Sequence, residues 1–145
     1  MEQRFNFTYA VKRLELALRP RFNAACASAG MTPAQYTAMT VLRSLPGLTS
    51  SELARRSFVR AQTMAMTLDP LLEAGYIRRE QDPNHARRML LHLTDAGADV
   101  LRRAEPEFNA FEDLIVSELT PEEQETFARL LRRVRKTIDA HGHRP

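Results

Sequence analysis

The stretch Thr49–Thr94, TSSELARRSFVRAQTMAMTLDPLLEAGYIRREQDPNHARRMLLHLT, constrains this chain more than any other. Thr49 is a good helix N-cap, and Glu52 three residues on predicts a capping box. Leu53 and Ala54 are expected to point inward, with Arg55 and Arg56 exposed at the helix end. Ser57-Phe58-Val59 reads as a turn. A second helix is predicted from near Ala61 to Glu73, with Met64, Leu68, Leu71 and Leu72 as its buried stripe. Gln62, Thr63, Ala65, Met66 and Asp69 fall on its other faces. Pro70 is expected to bend its last turn, because proline lacks the amide hydrogen a helix needs. After Gly75, Tyr76–Glu80 reads as a strand and Met89–Leu93 as its return, with Met89, Leu91 and Leu93 on one face. Between them Asp82-Pro83-Asn84 is a strong turn signal, so His85, Arg87 and Arg88 are expected at the hairpin tip.

The flanks read as helix. Phe7, Val11, Leu14, Leu18, Phe22 and Ala25 recur at spacings of three and four and make one apolar stripe over residues 6–29. Pro20 kinks this helix or divides it into two pieces. Thr32-Pro33-Ala34-Gln35 carries the cap, first-turn proline and capping-box Gln of a helix to about Ser44. Tyr36, Met39, Thr40 and Leu42–Leu45 are its expected buried positions. Thr94 starts a long helix to about Leu119, with Leu101, Ala104, Phe108, Phe111 and Ile115 as its stripe and a kink at Pro106. Thr120-Pro121-Glu122-Glu123 opens the last helix, whose stripe is Phe127, Leu130, Leu131, Val134 and Ile138. His141–Pro145 reads as a frayed tail. All five glycines read as breaks between elements.

The fold class is therefore mainly α with a small β-wing: a winged helix-turn-helix flanked by N- and C-terminal helices. At 145 residues one domain is expected, long enough to bury a core. Within it residues 31–94 form the winged lobe, and 1–30 with 95–140 form a helical dimerisation lobe. The net charge is +3, and lysine occurs only at Lys12 and Lys136, so the basic side chains are almost all Arg. Arginine suits phosphates and guanine edges; GC-rich coding explains the same excess. The single cysteine, Cys26, excludes an intramolecular disulfide and a Cys-based metal cluster. The start of the chain lacks the apolar core and cleavage site of a signal peptide, no apolar run reaches membrane-span length, and the cytoplasm is the expected compartment.

DNA recognition by a winged helix needs short polar side chains early on one helix to reach base edges. It needs phosphate contacts to set the register, and a wing arginine suits the narrow, electronegative minor groove. The order here supplies all three. Arg60, Gln62, Thr63 and Met66 lie early on the second helix; Gln pairs with adenine and Thr or Met meets a thymine methyl. Ser50, Ser51, Arg55 and Arg56 are phosphate candidates, and His85, Arg87 and Arg88 are the wing candidates. Read singly, each of these is equally a solvated helix-start or surface residue; the order in which they occur carries the reading. Asp69 and Glu73 mark where contact with DNA should stop.

LTSSELARRSFV, QTM, LLEAGYIRRE and DPNHARRMLLHLTDAG resemble the MarR family of winged helix-turn-helix regulators, and TPAQYTAMTVL resembles that family's second helix. The resemblance runs from the Pro20 region to the last helix and is most specific in the wing and the following Leu93-Thr94-Asp95-Ala96-Gly97. It implies a homodimer whose first, fifth and sixth helices interlock, a pseudo-palindromic operator in double-stranded DNA, usually repression, and often a small aromatic or phenolic effector. Two positions depart from the pattern. The wing's Asp-x-Arg is here His85-Ala86-Arg87, so the expected Asp–Arg pairing is absent. Pro70 replaces a residue that is usually helix-compatible.

An effector pocket between the two lobes would by position be lined by Phe22, Cys26, Tyr36, Met39, Thr40, Phe108 and Phe111; core or dimer interface is the competing and favoured reading of each. Cys26 as a peroxide-sensing thiol competes with Cys26 as a buried inert one, and the inert reading is preferred. His85 and His92 make a weak ligand set for a metal, and His92 is expected to face solvent. No cofactor is expected. A winged-helix module that binds protein rather than DNA is the alternative, supported by Pro70 and His85. An enzyme is rejected, because there is no phosphate loop, no metal-ligand spacing and no nucleophile with a base.

Overall fold

A computed structural model describes residues 3–142. The elements run α1 (Phe7–Ser28), α2 (Pro33–Ser44), α3 (Ser50–Arg56), α4 (Ala61–Glu73), β1 (Ile77–Asp82), β2 (His85–Leu93), α5 (Asp95–Ile115) and α6 (Pro121–Ala140). The chain divides into two compact units, Met1–Phe108 and Asn109–Pro145. Among the described residues no helix is long and apolar enough to cross a membrane.

The first unit is built on one core in which Met39, Leu42, Leu53, Met64, Leu68 and Leu91 are fully buried. One apolar stripe from each of α2, α3, α4, α5 and the hairpin meets there. At α2 the inward set is Ala38, Met39 and Leu42. Arg43, Ser44 and Leu45, expected inside, are exposed, because the helical period carries them past the core face. A smaller cluster joins Ala25 and Cys26 of α1 to Ala104 and Phe108 of α5. The first half of the α1 stripe is not buried in this unit: Phe7, Val11 and Leu14 are exposed, with Phe7 edge-on to the equally exposed Phe5.

All three interior prolines are accommodated inside continuous helices, Pro20 in α1, Pro70 in α4 and Pro106 in α5. The division at Pro20 is not present. Pro70 sits in the last turn of α4, where its carbonyl still accepts from Ala74 N at 2.9 Å.

β1 and β2 pair antiparallel, with Ile77 opposite Leu93 and Gln81 opposite Met89. The hairpin is longer than expected: Asp82 pairs with His85, so the turn is Pro83-Asn84, closed by Asn84 N on Asp82 Oδ1 at 2.9 Å. Ala86, Arg87 and Arg88 bulge from β2 between the two pairings. Gln81 Nε2 donates to Ala86 O at 2.9 Å and pins the bulge. On its other edge β2 is held by Leu48, whose carbonyl accepts from Leu91 N at 2.8 Å while Gly47 N donates to Leu91 O at 3.0 Å.

Thr94 joins the hairpin to α5. Its hydroxyl donates to Gly75 O at 2.6 Å and accepts from Gly97 N at 3.1 Å. Gly97 lies within the first turn of α5 rather than at a break, the exception among the glycines to the sequence expectation. A Cβ there would stand 2.1 Å from Tyr76 O and 2.8 Å from Leu93 Cδ1.

In the second unit, α5 ends at Ile115, short of the expected Leu119, and a turn follows. Thr120 and Glu123 form the expected reciprocal capping box of α6. No residue of α6 is buried, and Leu130, Leu131, Val134 and Ile138 are exposed. Of the expected frayed tail, His141 caps α6, and His143–Pro145 lie outside the described residues.

A candidate nucleic-acid interface

The capping of α3 sets up this face. Thr49 Oγ1 accepts from Glu52 N at 3.2 Å, but the expected return bond from the Glu52 side chain is not made. That carboxylate accepts instead from Arg88 Nη2 of the wing at 2.5 Å. Arg88 also lies 3.9 Å from Asp82. An Asp–Arg pair therefore does exist in this wing, at a spacing the sequence comparison did not anticipate, and it extends to α3. Arg88 is consequently turned toward the protein and is not a free tip residue. Its neighbour Arg87 is exposed on the bulge and makes no ion pair among the described residues. His85 begins β2 rather than crowning a loop.

The turn Ser57-Phe58-Val59 brings α4 across α3. Val59 N donates to Ala54 O at 3.1 Å, and Phe58 takes the left-handed conformation with φ 59°. Bulky side chains rarely adopt that geometry. Arg60 is the N-cap of α4 but makes no side-chain cap bond. Gln62, Thr63 and Met66 lie on the exposed face of α4 while Met64, Leu68 and Leu71 are buried. One helix thus divides cleanly into a core stripe and a face able to approach a duplex. Ser51 is exposed and Ser50 half-buried; Arg55, Arg56 and Arg60 are exposed and make no ion pair among the described residues.

The expected pocket residues are brought together, but into packing. Tyr36 and Phe108 stack with ring centroids 3.9 Å apart, and Phe22 meets both edge-on at 5.8 and 5.9 Å. Cys26 and Met39 are core residues without exposure. Thr40 spends its hydroxyl on Thr37 O at 2.9 Å, and Phe111 belongs to the second unit. Among the described residues, clefts of the first unit include two. One is lined by Ser28, Ala29, Tyr76, Val100, Arg103, Ala104 and Glu107, the other by residues of α2 and α3. Of the seven expected pocket residues only Thr40 lies on either.

Cys26 is not built as a sensor. Burial pushes its thiol up to about 11, and a sensor needs the thiolate and access. Against an ordinary value of 9.0, the thiolate at neutral pH is about 100-fold scarcer. Iodoacetamide should therefore alkylate the folded protein at least about 100-fold more slowly than the urea-unfolded chain; equal rates would restore the redox reading. The unfolded thiol ionises first, so this group's contribution to stability is intact below pH 9 and declines toward about pH 11. Cys26→Ala should lack that part of the alkaline decline. His92 does not face solvent as expected: it is half-buried, with Nε2 3.0 Å from Glu80 Oε2 but off the hydrogen-bonding direction. Among the described residues no three His, Cys, Asp or Glu side chains group as a metal site would require.

Sequence reasoning missed Glu52 and Asp82 as the partners of Arg88, and Leu48 as the residue that pairs with the wing. The Glu52 and Leu48 contacts span elements far apart in the chain, and Asp82 reaches Arg88 only across the bulged hairpin; no periodic pattern announces either.

A family model described as MarR family matches residues 29–88. The HTH-type transcriptional repressor Rv2887 of Mycobacterium tuberculosis is 32% identical over 126 residues, covering 87% of this chain and 91% of the repressor. The crystal structure of Rv2887 in complex with DNA superposes with a TM-score of 0.75 at 30% identity, over 90% of this chain and 98% of that one. Its complex with salicylic acid gives 0.73 at 30% identity, over 92% and 99%. With the winged helix-turn-helix, its wing and its flanking helices all in place, and with a likeness that runs over most of both chains, this protein belongs to the MarR family.

Proposed function

We infer that this protein is a sequence-specific, ligand-responsive transcriptional repressor that binds a pseudo-palindromic operator as a homodimer in the cytoplasm. The observation that carries the reading is that Gln62, Thr63 and Met66 are exposed on α4, and that Arg55, Arg56, Arg60 and Arg87 are exposed with no ion pair among the described residues. In duplex DNA the α4 side chains read base edges in the major groove, Ser50, Ser51, Arg55, Arg56 and Arg60 hold phosphates, and Arg87 enters the minor groove. Arg88 and His85 serve by shaping the wing. MarR regulators bind DNA and catalyse nothing.

The dimer is supported by apolar stripes left exposed within their own units, Phe7, Val11 and Leu14 on α1 and Leu130, Leu131, Val134 and Ile138 on α6. Stripes of this kind mark an interface. Residues 1–30 and 95–140 form the dimerisation lobe, and 31–94 the winged lobe. Two recognition helices about 34–36 Å apart reach successive major grooves. A small aromatic or phenolic effector acts by its differential affinity for a dimer of another spacing.

The test is a gel-shift titration with the duplex upstream of the protein's own gene over a salt series. Log K should fall linearly with log salt, by roughly 0.9 for each phosphate neutralised. A salt-independent affinity would overturn the reading.

A further inference from the structure

α6 carries two stripes on opposite sides. Phe127, Leu130, Leu131, Val134 and Ile138 make the apolar one. Arg129, Arg132, Arg133 and Lys136, at i, i+3, i+4 and i+7, make the other. All four cations are exposed, and among the described residues none of them makes an ion pair. Arg135 lies off this stripe and is held by Asp139 at 2.8 Å. Residues 126–138 contain five cations and no acid, so this stretch alone is more positive than the net +3 of the whole chain.

Helix energetics do not account for the basic stripe. Arg129 with Arg133, and Arg132 with Lys136, are like charges four residues apart, and such pairs oppose helix formation. The helix dipole favours cations only near the C-terminal turn, and no basic residue lies in the last turn of α6. Glu125 stands one turn before Arg129 and forms no ion pair with it. No residue of α6 is buried, so the long side chains shield no core. The repulsion along the stripe is offset if it meets an array of anions.

We propose that the basic stripe of α6 binds the phosphate backbone of duplex DNA without reading its sequence, as a second surface besides α4 and the wing. The four cations span about 10 Å of helix, and a duplex carries roughly six phosphate charges over that length, so each cation can meet its own. Phosphate contact needs only charge and reach. A protein partner needs an apolar or aromatic anchor at the centre of the contact, and this stripe has none between its cations. A lipid surface takes such a helix by its apolar face, which here is turned the opposite way and is the face assigned to the dimer. The inference does not depend on α4 reading bases. Where α4 and the wing hold one duplex, α6 holds another, and the protein bridges two DNA segments.

The test uses the full-length protein with Arg55→Ala, Arg56→Ala, Arg60→Ala and Arg87→Ala, which leaves the α6 surface alone, and a short fluorescent duplex of random sequence. Anisotropy titrations should show binding whose log K falls with log salt by about 3.6, four contacts at roughly 0.9 each. The duplex should shift the amides of residues 129–136. Adding Arg129→Gln, Arg132→Gln, Arg133→Gln and Lys136→Gln should abolish both, with an unfolding midpoint no lower than before, because the like-charge pairs are gone. Arg129→Lys, Arg132→Lys and Arg133→Lys together keep the charge and should hold the duplex within about threefold. Duplex binding indifferent to the Gln substitutions, lost with the Lys ones, or mapped outside α6 would overturn the proposal. So would phosphatidylserine vesicles or polyglutamate shifting residues 129–136 where the duplex does not, since the partner would then be a lipid surface or an acidic protein. Duplex held by α6 in a protein with no preference for its operator would leave this surface standing and remove the operator reading; operator binding with an inert α6 would do the reverse.

Discussion

Gly97→Ala should destabilise the protein by about 2 kcal/mol or more, even though alanine is the better helix former by about 1 kcal/mol. The added Cβ would stand 2.1 Å from Tyr76 O and 2.8 Å from Leu93 Cδ1. The leucine terminus can move aside. The Tyr76 carbonyl cannot, because it accepts the Thr94 amide at 3.0 Å while the Thr94 hydroxyl holds Gly75 O at 2.6 Å. Either α5 lifts off the residue that leads into β1 or the Thr94 junction opens. Both separate the hairpin from the helix that carries Val100, Leu101 and Ala104 into the core. Urea unfolding followed by circular dichroism measures the loss, and a midpoint equal to or above that of the parent would show that no close approach exists at Gly97. The same variant should bind DNA more weakly at temperatures where it remains folded, since the wing hangs from this junction.

Arg87→Ala should weaken operator binding by about 1–3 kcal/mol, or roughly 5- to 150-fold, with no change in unfolding midpoint. The side chain is exposed and has no partner among the described residues, so folding loses nothing when it goes. The salt slope should become shallower by about 0.9 if Arg87 neutralises one phosphate's worth of charge in the minor groove. Arg88→Ala separates this from a general effect of charge. Its guanidinium bonds Glu52 and sits near Asp82, so removal frees the wing from α3 and leaves two carboxylates beside the DNA. Glu52→Gln should reproduce part of the Arg88→Ala defect while leaving the protein's positive charge in place. Gel shifts at matched salt decide the matter. If Arg87→Ala binds like the parent while Arg88→Ala does not, the minor-groove contact belongs to Arg88 and the wing must rearrange on binding.

What could be read locally was read well. Thr32, Thr49 and Thr120 each start a helix by accepting the amide three residues on, and that chemistry is written within four residues of sequence. The stripe Met64, Leu68, Leu71 and the outward set Gln62, Thr63, Met66 follow from one period of α4. Where the local rule was modified, a partner on another element was responsible. Glu52 left its capping box for Arg88. The β2 bulge moved Arg87 and Arg88 from the tip onto the strand, and Gln81 and Asp82 hold it there. His92, placed outside by strict alternation, is half-buried beside Glu80 and the Gly47 turn.

The sequence by itself determined the order of elements, the helix starts, the core stripes and the candidate base-reading face, because each is a property of a few consecutive residues and their period. The tertiary structure alone decided which arginines make no ion pair among the described residues, that Phe22, Tyr36 and Phe108 pack on one another, that Cys26 is buried, and that a Cβ at Gly97 would meet the Tyr76 carbonyl. Each of those depends on which atoms of distant segments arrive within a few ångströms, and short-range periodicity does not specify that.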